Sequence, residues 1–166
     1  MNVIDSTWEF KCKHYPDGLI RKFKARYFAR GNEQWEGIDF FETYAPVVQW
    51  TTFRLMLILE VLLVFKSKQG DVTAEVLHED IPENEKVYVE MTRGFDQFSK
   101  NGLKEYLKLK KTLYGIRQSS RNFWQYLTNN LEQSGLKQSK VDPFPFVVKK
   151  FTCIVYVEDL VFWARN

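Results

Sequence analysis

Apolar and polar residues alternate near the N-terminus in a way that predicts a β-hairpin. Residues 8–14 alternate as a strand, Tyr15-Pro16-Asp17-Gly18 is a strong turn signal, and residues 19–29 alternate again. Successive side chains of a strand point to opposite faces, so the second strand should have one basic and one apolar face. The basic face consists of Lys22, Lys24, Arg26 and Arg30, and the apolar face consists of Phe23, Ala25, Tyr27 and Ala29.

Longer apolar stretches predict two helices. Thr51 or Thr52 is expected to cap the first, which extends to about residue 65. Because this helix is apolar nearly all round, it should lie buried. Ser119 or Ser120 is expected to cap the second helix. Its apolar residues recur at i, i+4 and i+8, as Phe123, Leu127 and Leu131.

The rest of the chain predicts short strands, turns and one long loop. The strands are residues 68–73, 86–91 and 105–110, the loop is 37–48, a helical turn is 74–80, and a terminal hairpin pairs 151–155 with 160–163. Strands and helices do not alternate regularly, so the predicted class is α+β, an antiparallel sheet with packed helices. No linker divides the chain, and residues 1–166 are therefore predicted to form a single domain.

Composition narrows the class of protein. In 166 residues, 45% are hydrophobic and 16% aromatic, which is typical of a folded domain with a real core. The net charge of +3 permits a polyanionic partner. Two cysteines and two histidines are too few for a zinc cluster and fit a reducing, intracellular location, cytoplasmic or nuclear. The longest apolar run contains Glu60 and is too short to span a bilayer, and the N-terminus lacks the features of a secretion signal.

The terminal hairpin carries an unusual pair of acids. Glu158 and Asp159 occupy the turn between two apolar strands, where glycine, asparagine or proline would be ordinary. Asp71, at the end of a predicted strand, is a further carboxylate of this kind. Carboxylates gathered from distant strands suit Mg²⁺, which prefers oxygen ligands. The alternative is an acidic surface turn and an ordinary strand end.

Five short blocks stand in order along the chain. They are residues 24–31 (KARYFARG), 37–48 (GIDFFETYAPVV), Asp71-Val72, 113–118 (LYGIRQ) and 156–159 (YVED). They resemble the KARLVARG, GIDYxETFAPVV, DVxxAFL, LYGLKQ and YVDD blocks of copia-type retrotransposon reverse transcriptases. Each block is weak by itself, but five in the matching order over nearly the whole chain form a specific signal.

The resemblance implies an RNA-directed DNA polymerase with a right-hand fold, of which this chain would form the fingers and part of the palm. In that family three palm aspartates hold two Mg²⁺ ions, with Mn²⁺ as a possible substitute, which clamp the attacking 3′-oxygen and the leaving pyrophosphate. By motif, the expected catalytic and metal-binding residues are Asp71, Glu158 and Asp159.

The same resemblance implies the partners of the chain. They are an RNA or DNA template-primer and a deoxynucleoside triphosphate, with no membrane partner, and the sequence predicts no oligomeric state. The expected nucleotide-binding residues are Lys24, Arg26, Val76 and Tyr114. For the basic strand, a merely solvated hairpin face is the alternative.

Some positions depart from the family pattern. Glu158 replaces the first aspartate of YVDD and moves the charge outward by about 1.5 Å. Active-site geometry tolerates only about 0.5 Å. Val76 stands where the family has a bulky aromatic residue that screens the sugar of the nucleotide. The palm is also expected to be incomplete at the C-terminus. We therefore expect impaired polymerase activity, and the alternative function is a non-catalytic remnant that at most binds nucleic acid.

Overall fold

Strands and helices are mixed along the chain, in agreement with the predicted α+β class. The computed structural model describes residues 1–73, 77, 79–92, 94–149, 151–157 and 159–164. The helices are α1 (Trp50–Leu63) and α2 (Ser119–Gln133). The strands are β1 (Val3–Ile4), β2 (Ser6–His14), β3 (Ile20–Ala29), β4 (Lys66–Asp71), β5 (Tyr88–Val89), β6 (Leu107–Lys108), β7 (Lys137–Gln138), β8 (Pro145–Val148), β9 (Phe151–Tyr156) and β10 (Asp159–Ala164).

The chain folds into two compact units, each assembled from two separate stretches. The first unit comprises Met1–Thr43 and Val76–Ser119, and the second comprises Tyr44–Glu75 and Ser120–Asn166. Each unit is formed by two stretches that are far apart in sequence, so no single division of the chain separates the two units. The assignment of both units to one domain stays a prediction.

The first unit contains the predicted N-terminal hairpin and a small sheet. Strands β2 and β3 form a two-stranded sheet, and their turn closes where the Gly18 backbone N–H donates to the Tyr15 carbonyl, 3.0 Å away. A second sheet has the order β1-β5-β6. Strands β5 and β6 are shorter than the strands predicted at residues 86–91 and 105–110. The core between these elements is formed by Ile4, Ala29, Val87, Val89 and Ile116.

Two glycines let distant segments of the first unit meet backbone to backbone. A Cβ on Gly115 would lie 2.2 Å from the Ala29 carbonyl oxygen, and one on Gly31 would lie 2.1 Å from the Gly115 carbonyl oxygen. The Ala29 amide donates to the Tyr114 carbonyl across this contact, at 2.9 Å. Gly115 also has a φ of +92°, which L side chains adopt only at a cost. The blocks at residues 24–31 and 113–118 are thus complementary surfaces of one packing contact.

The second unit is a five-stranded antiparallel sheet with both helices. The strand order is β4-β10-β9-β8-β7. Phe123 and Leu127 are buried and Leu131 packs beside them, which confirms the predicted stripe of α2. Cys153 is fully buried, as expected, and burial raises the pKa of its thiol to about 12. The buried core comprises Val48, Met56, Phe123, Leu127, Leu136, Phe144, Phe146, Cys153, Ile154, Val155, Leu160 and Trp163.

The predicted caps of both helices are wrong. Helix α1 begins at Trp50, one residue before Thr51. At its start the Asp142 carboxylate accepts hydrogen bonds from the Gln49 backbone N–H (3.3 Å) and the Thr52 hydroxyl (2.5 Å). Helix α2 begins at Ser119, whose hydroxyl donates to the Leu113 carbonyl. A distant carboxylate therefore bonds at the start of α1, and the Ser119 hydroxyl acts as a donor to the preceding segment rather than as a cap of α2.

The predicted burial of α1 is also wrong. Met56 is the helix residue classed as buried, whereas most of its large apolar side chains are exposed. A helix that is apolar on every side has more apolar surface than packing on one side can cover, so part of it faces solvent. The exposed side chains are Trp50, Leu55, Leu57, Ile58, Val61, Leu62 and Leu63.

Glu60 is the charged residue within this apolar run, and its carboxylate bonds to two neighbouring strands. Its carboxylate accepts hydrogen bonds from the Ser67 hydroxyl (2.5 Å) and the Trp163 indole N–H (2.7 Å), and these two bonds lower the pKa of Glu60. Ser67 and Trp163 are direct partners across β4 and β10. One side chain of α1 therefore holds both strands of this pair in register.

We predict that Gly115→Ala destabilises the chain far more than Gly37→Ala does. Both glycines have positive φ, but a Cβ at Gly37 would meet no atom within 4 Å. The control should lose about 1 kcal/mol of unfolding free energy from backbone strain alone. Gly115→Ala adds a clash with backbone and should lose roughly 3 kcal/mol or more. Urea unfolding would measure both, and equal losses would contradict the close backbone contact.

Candidate functional site

Two of the predicted acidic residues meet across neighbouring strands of the second unit. Strand β4 ends at Asp71 and β10 begins at Asp159, and the antiparallel register makes these two residues direct partners. Side chains of directly opposed residues lie close together on one face, with Cβ atoms about 4.5–5.5 Å apart. Like charges in that arrangement destabilise the sheet unless a cation lies between them.

Two other predicted site residues, Glu158 and Val76, lie outside the described residues, as does most of the helical turn predicted at 74–80. Within the described ranges, no three His, Cys, Asp or Glu side chains are grouped so that they could hold a metal ion. The acidic site as described is therefore the pair Asp71 and Asp159. Gln69 borders it, since its side-chain amide donates to Asp159 Oδ1 over 3.2 Å.

The backbone beside Asp159 is strained. Tyr156 ends β9, Asp159 begins β10, and these two residues are cross-strand partners. Val157, which directly follows Tyr156, has a φ of +55°. A β-branched side chain is a true outlier in this left-handed region. Strain of this kind persists only where the surrounding packing imposes it, and Cys153, Ile154 and Val155 of β9 are all buried.

The basic face of β3 lies in the first unit, and the structure extends it to basic residues of β2. The register of the hairpin places Lys11 opposite Lys24 and Lys13 opposite Lys22, and Arg26 lies opposite Glu9. Opposed like charges destabilise a two-stranded sheet, so this arrangement favours an anionic partner. Of these basic residues, only those on β3 were predicted from the sequence. The alternation of Lys11 and Lys13 on β2 was the signal that could have extended the assignment.

Arg26 and Tyr114, both predicted nucleotide-binding residues, are in contact. The Arg26 guanidinium lies 5.6 Å from the centre of the Tyr114 ring, which also packs against Phe28 at 5.7 Å. Arg26 Nε is buried and has no hydrogen-bond partner among the described residues. Lys24, two residues away on the same face of β3, is half-buried. Arg26 and Tyr114 thus come from the two sides of the contact between residues 24–31 and 113–118, and their side chains meet across it.

A buried polar network that the sequence pattern did not predict joins residues of the first unit. The Gln118 side chain donates to the Asp39 carbonyl and to the Glu85 carboxylate, each at 3.0 Å, and accepts from Gln34 at 3.0 Å. The Asp39 carboxylate in turn accepts from the Asn2 amide (2.6 Å) and the Trp35 backbone amide (2.8 Å). The sequence signal for this network was the presence of polar residues inside the blocks at 37–48 and 113–118. The hydrogen bonds of these residues hold the first unit together.

No helix in the described part of the chain is long and apolar enough to cross a membrane.

Comparison with known proteins adds a family to this geometry. The family model described as reverse transcriptase (RNA-dependent DNA polymerase) matches residues 1–166. The Retrovirus-related Pol polyprotein from transposon TNT 1-94 of Nicotiana tabacum is 32% identical over 96% of this chain and 12% of its own length. The Retrovirus-related Pol polyprotein from transposon RE1 of Arabidopsis thaliana is 31% identical over 95% of this chain and 10% of its own length.

A more distant relative is the Transposon Ty1-H Gag-Pol polyprotein of Saccharomyces cerevisiae, 28% identical over 99% of this chain and 8% of its own length. The chain spans about a tenth of the length of the Pol polyproteins it matches in these two plants. No solved structure matches it.

We predict that Asp71→Asn stabilises the chain in the presence of a chelator. Removing one of two opposed charges should raise the unfolding free energy by about 0.2–1 kcal/mol. Added Mg²⁺ or Mn²⁺ should raise the melting temperature of the unaltered chain and have little effect on the variant. Thermal unfolding measures both effects.

The matched control is Glu132→Gln, which neutralises an exposed acid of the same unit. It should respond to the cation as the unaltered chain does. A chain whose melting temperature rises equally with and without Asp71 would show that the cation binds elsewhere.

Proposed function

Since this chain belongs to the reverse transcriptase (RNA-dependent DNA polymerase) family, we propose that it carries part of the nucleotidyl-transfer site of a copia-type retrotransposon polymerase. The observation that carries the proposal is the direct pairing of Asp71 with Asp159 across β4 and β10. In this proposal the second unit corresponds to part of the palm of a right-hand polymerase, and the hairpin of the first unit corresponds to its fingers.

The donor set at the acidic pair fits Mg²⁺. Two carboxylates on one face of neighbouring strands present oxygen ligands, and their mutual repulsion is relieved by a divalent cation. Asp71 and Asp159 would hold the ion, with Glu158 as the third ligand by family motif. When bound, Mg²⁺ would neutralise charge on the reacting phosphoryl oxygens, and Mn²⁺ could do the same.

The protein itself contributes rigidity to this site. Phosphoryl transfer needs positioned charge more than covalent chemistry, so the carboxylates must be held firmly. Asp71 and Asp159 are the end residues of paired strands, and Glu60 bonds to both members of a pair farther along the same two strands. A site built on strands is more precisely held than one built on loops.

Glu158 favours the second candidate function, a non-catalytic protein that binds nucleic acid. The longer side chain displaces the carboxylate by more than an active site tolerates, and a misplacement near 1 Å lowers a rate by about a hundredfold. We therefore propose slow polymerisation at best. The departure at Glu158 leaves the basic face unaffected, because the face belongs to the other unit.

The basic face is proposed to bind the phosphates of an RNA or DNA template-primer and of a deoxynucleoside triphosphate. Lysine and arginine supply most sequence-independent affinity for nucleic acid by displacing counterions from phosphate. The Arg26 guanidinium is held against the Tyr114 ring, and a guanidinium can donate two parallel hydrogen bonds to a phosphate group. Opposed lysines that repel one another in the free protein would be neutralised in the complex.

We predict slow primer extension that depends on Asp71. With a DNA primer on an RNA template and Mg²⁺ or Mn²⁺, Asp71→Asn should lower extension by more than about a hundredfold, because a metal ligand contributes several kcal/mol to the transition state. Glu132→Gln is again the control. Equal extension by Asp71→Asn would refute the catalytic role of the pair. No extension by any variant, with binding retained, would establish the non-catalytic function.

We also predict that the basic face sets the salt dependence of binding. The double variant Lys11→Ala/Lys24→Ala removes one opposed pair and should reduce the slope of log K against log[salt] by about 1.8 on a duplex, since each phosphate contact contributes about 0.9. Binding is measured by fluorescence anisotropy over a salt series. The control, Lys100→Ala/Lys140→Ala, removes two exposed lysines outside the hairpin. Equal slopes for both double variants would support the solvated-face alternative.

A further inference from the structure

The two cysteines of the chain have different surroundings. Cys153 is fully buried in β9, and burial raises the pKa of its thiol to about 12. Cys12 lies on β2, in the hairpin of the first unit, where it is partly exposed and forms no disulfide. Thiol reactions require the thiolate form and access for the reagent, so the environment of Cys153 suppresses its reactivity. Cys12 is therefore the thiol that a reagent in solution reaches.

A histidine lies beside the Cys12 thiol. His14 Nε2 is 3.7 Å from Cys12 Sγ, which is within hydrogen-bond distance for sulfur. The two residues are separated by one position on β2, so their side chains project from the same face of the strand. When Nδ1 carries the ring proton, Nε2 accepts the proton of the thiol. A thiol next to an imidazole is the arrangement in which histidine activates a cysteine as a nucleophile.

Lysines surround Cys12 along the hairpin. Lys11 and Lys13 precede and follow it on β2, and their cross-strand partners are Lys24 and Lys22. These lysines belong to the opposite face of the hairpin, but their potential extends over about 8 Å at physiological ionic strength. Clustered positive charge raises the local concentration of a small anionic reagent. It also favours the thiolate, the form of cysteine that reacts.

We propose that Cys12 is a modification site for small anionic disulfides such as oxidised glutathione, with His14 as the base that takes up the thiol proton. The site stands apart from the proposed polymerase function, because the reaction involves neither nucleic acid nor a metal.

The reaction is a thiol–disulfide exchange in which the reagent is the oxidant. The Cys12 proton passes to His14 Nε2, and the thiolate, paired with the imidazolium, attacks one sulfur of the disulfide. A bond forms between Cys12 Sγ and that sulfur while the S–S bond of the reagent breaks. The leaving thiolate takes the proton from His14 and departs as a thiol. Cys12 is thereby oxidised, half of the reagent is reduced to a thiol, and His14 returns to its neutral form.

The test follows the reaction of the full chain with oxidised glutathione at neutral pH by mass spectrometry, with peptide mapping to locate the mixed disulfide. One glutathione should add at Cys12, while Cys153 should remain a free thiol. His14→Gln should slow the reaction about fivefold, because a thiol without a partner is only a few per cent thiolate at neutral pH. A larger loss is not expected, since nucleophilicity falls as the thiolate is stabilised.

A second variant at the same position separates activation from a structural role. His14→Lys keeps a cation beside the thiolate and should retain most of the rate that His14→Gln loses. His14 is exposed, so neither replacement disturbs a core. A side chain that acted only by shaping the hairpin would show equal losses in both variants, and that result would overturn the role of His14.

The charge preference is tested with cystamine, a small cationic disulfide. The ratio of the glutathione rate to the cystamine rate should be several-fold higher for Cys12 than for 2-mercaptoethanol, a neutral thiol without lysines around it. Lys11→Ala/Lys13→Ala should lower this ratio toward that of 2-mercaptoethanol. The matched control, Lys100→Ala/Lys140→Ala, removes two exposed lysines outside the hairpin and should leave the ratio unchanged.

Results on the unaltered chain alone also decide the matter. Reaction of Cys153 as fast as that of Cys12 would overturn the assignment of the site. A rate ratio equal to that of 2-mercaptoethanol would overturn the preference for an anionic disulfide. Modification confined to Cys12, with a preference for glutathione that high salt removes, would support both.

Discussion

The antiparallel pairing of β4 with β10 is the constraint on which the acidic site depends. Asp71 and Asp159 are close only because these strands pair in one register, and a slip of one residue would send one carboxylate to the opposite face of the sheet. The register is held from both sides of the unit. Leu160 and Trp163 are buried, and Glu60 of α1 bonds to both members of the Ser67–Trp163 pair. Core packing therefore determines the position of the two charges.

Each unit concentrates like charges at directly opposed positions. Asp71 faces Asp159 in the second unit, while Lys11 faces Lys24 and Lys13 faces Lys22 in the first. Such pairs lower the stability of the sheet that contains them. Departures from the most stable arrangement are expected at sites of function. The acidic cluster has the charge that suits the proposed divalent cation, and the basic cluster has the charge that suits the proposed nucleic acid.

The sequence blocks that carry the family resemblance contain scaffold residues as well as site residues. Gly31 and Gly115 permit a backbone contact that no other residue allows, and Gln118 joins three segments through buried hydrogen bonds. The strained turn at Val157 similarly depends on the buried strand before it. A sequence block can therefore match the family pattern because its residues are required for folding. Membership of the family does not by itself establish polymerase activity.

The sequence by itself determined the local elements and the family. Period-two alternation predicted the β2–β3 hairpin, and two apolar runs joined by a pair of acids predicted the terminal hairpin. Helical spacing predicted the stripe of α2, and five ordered blocks identified the family, because each of these signals is contained in short stretches of chain. Only the tertiary structure decided how these stretches meet. Asp71 pairs with Asp159, and Asp142 accepts hydrogen bonds from Gln49 and Thr52 at the start of α1, so residues about 90 positions apart come together. Nothing in local periodicity encodes such contacts, and the exposure of α1 likewise depends on how much apolar surface its neighbours can cover.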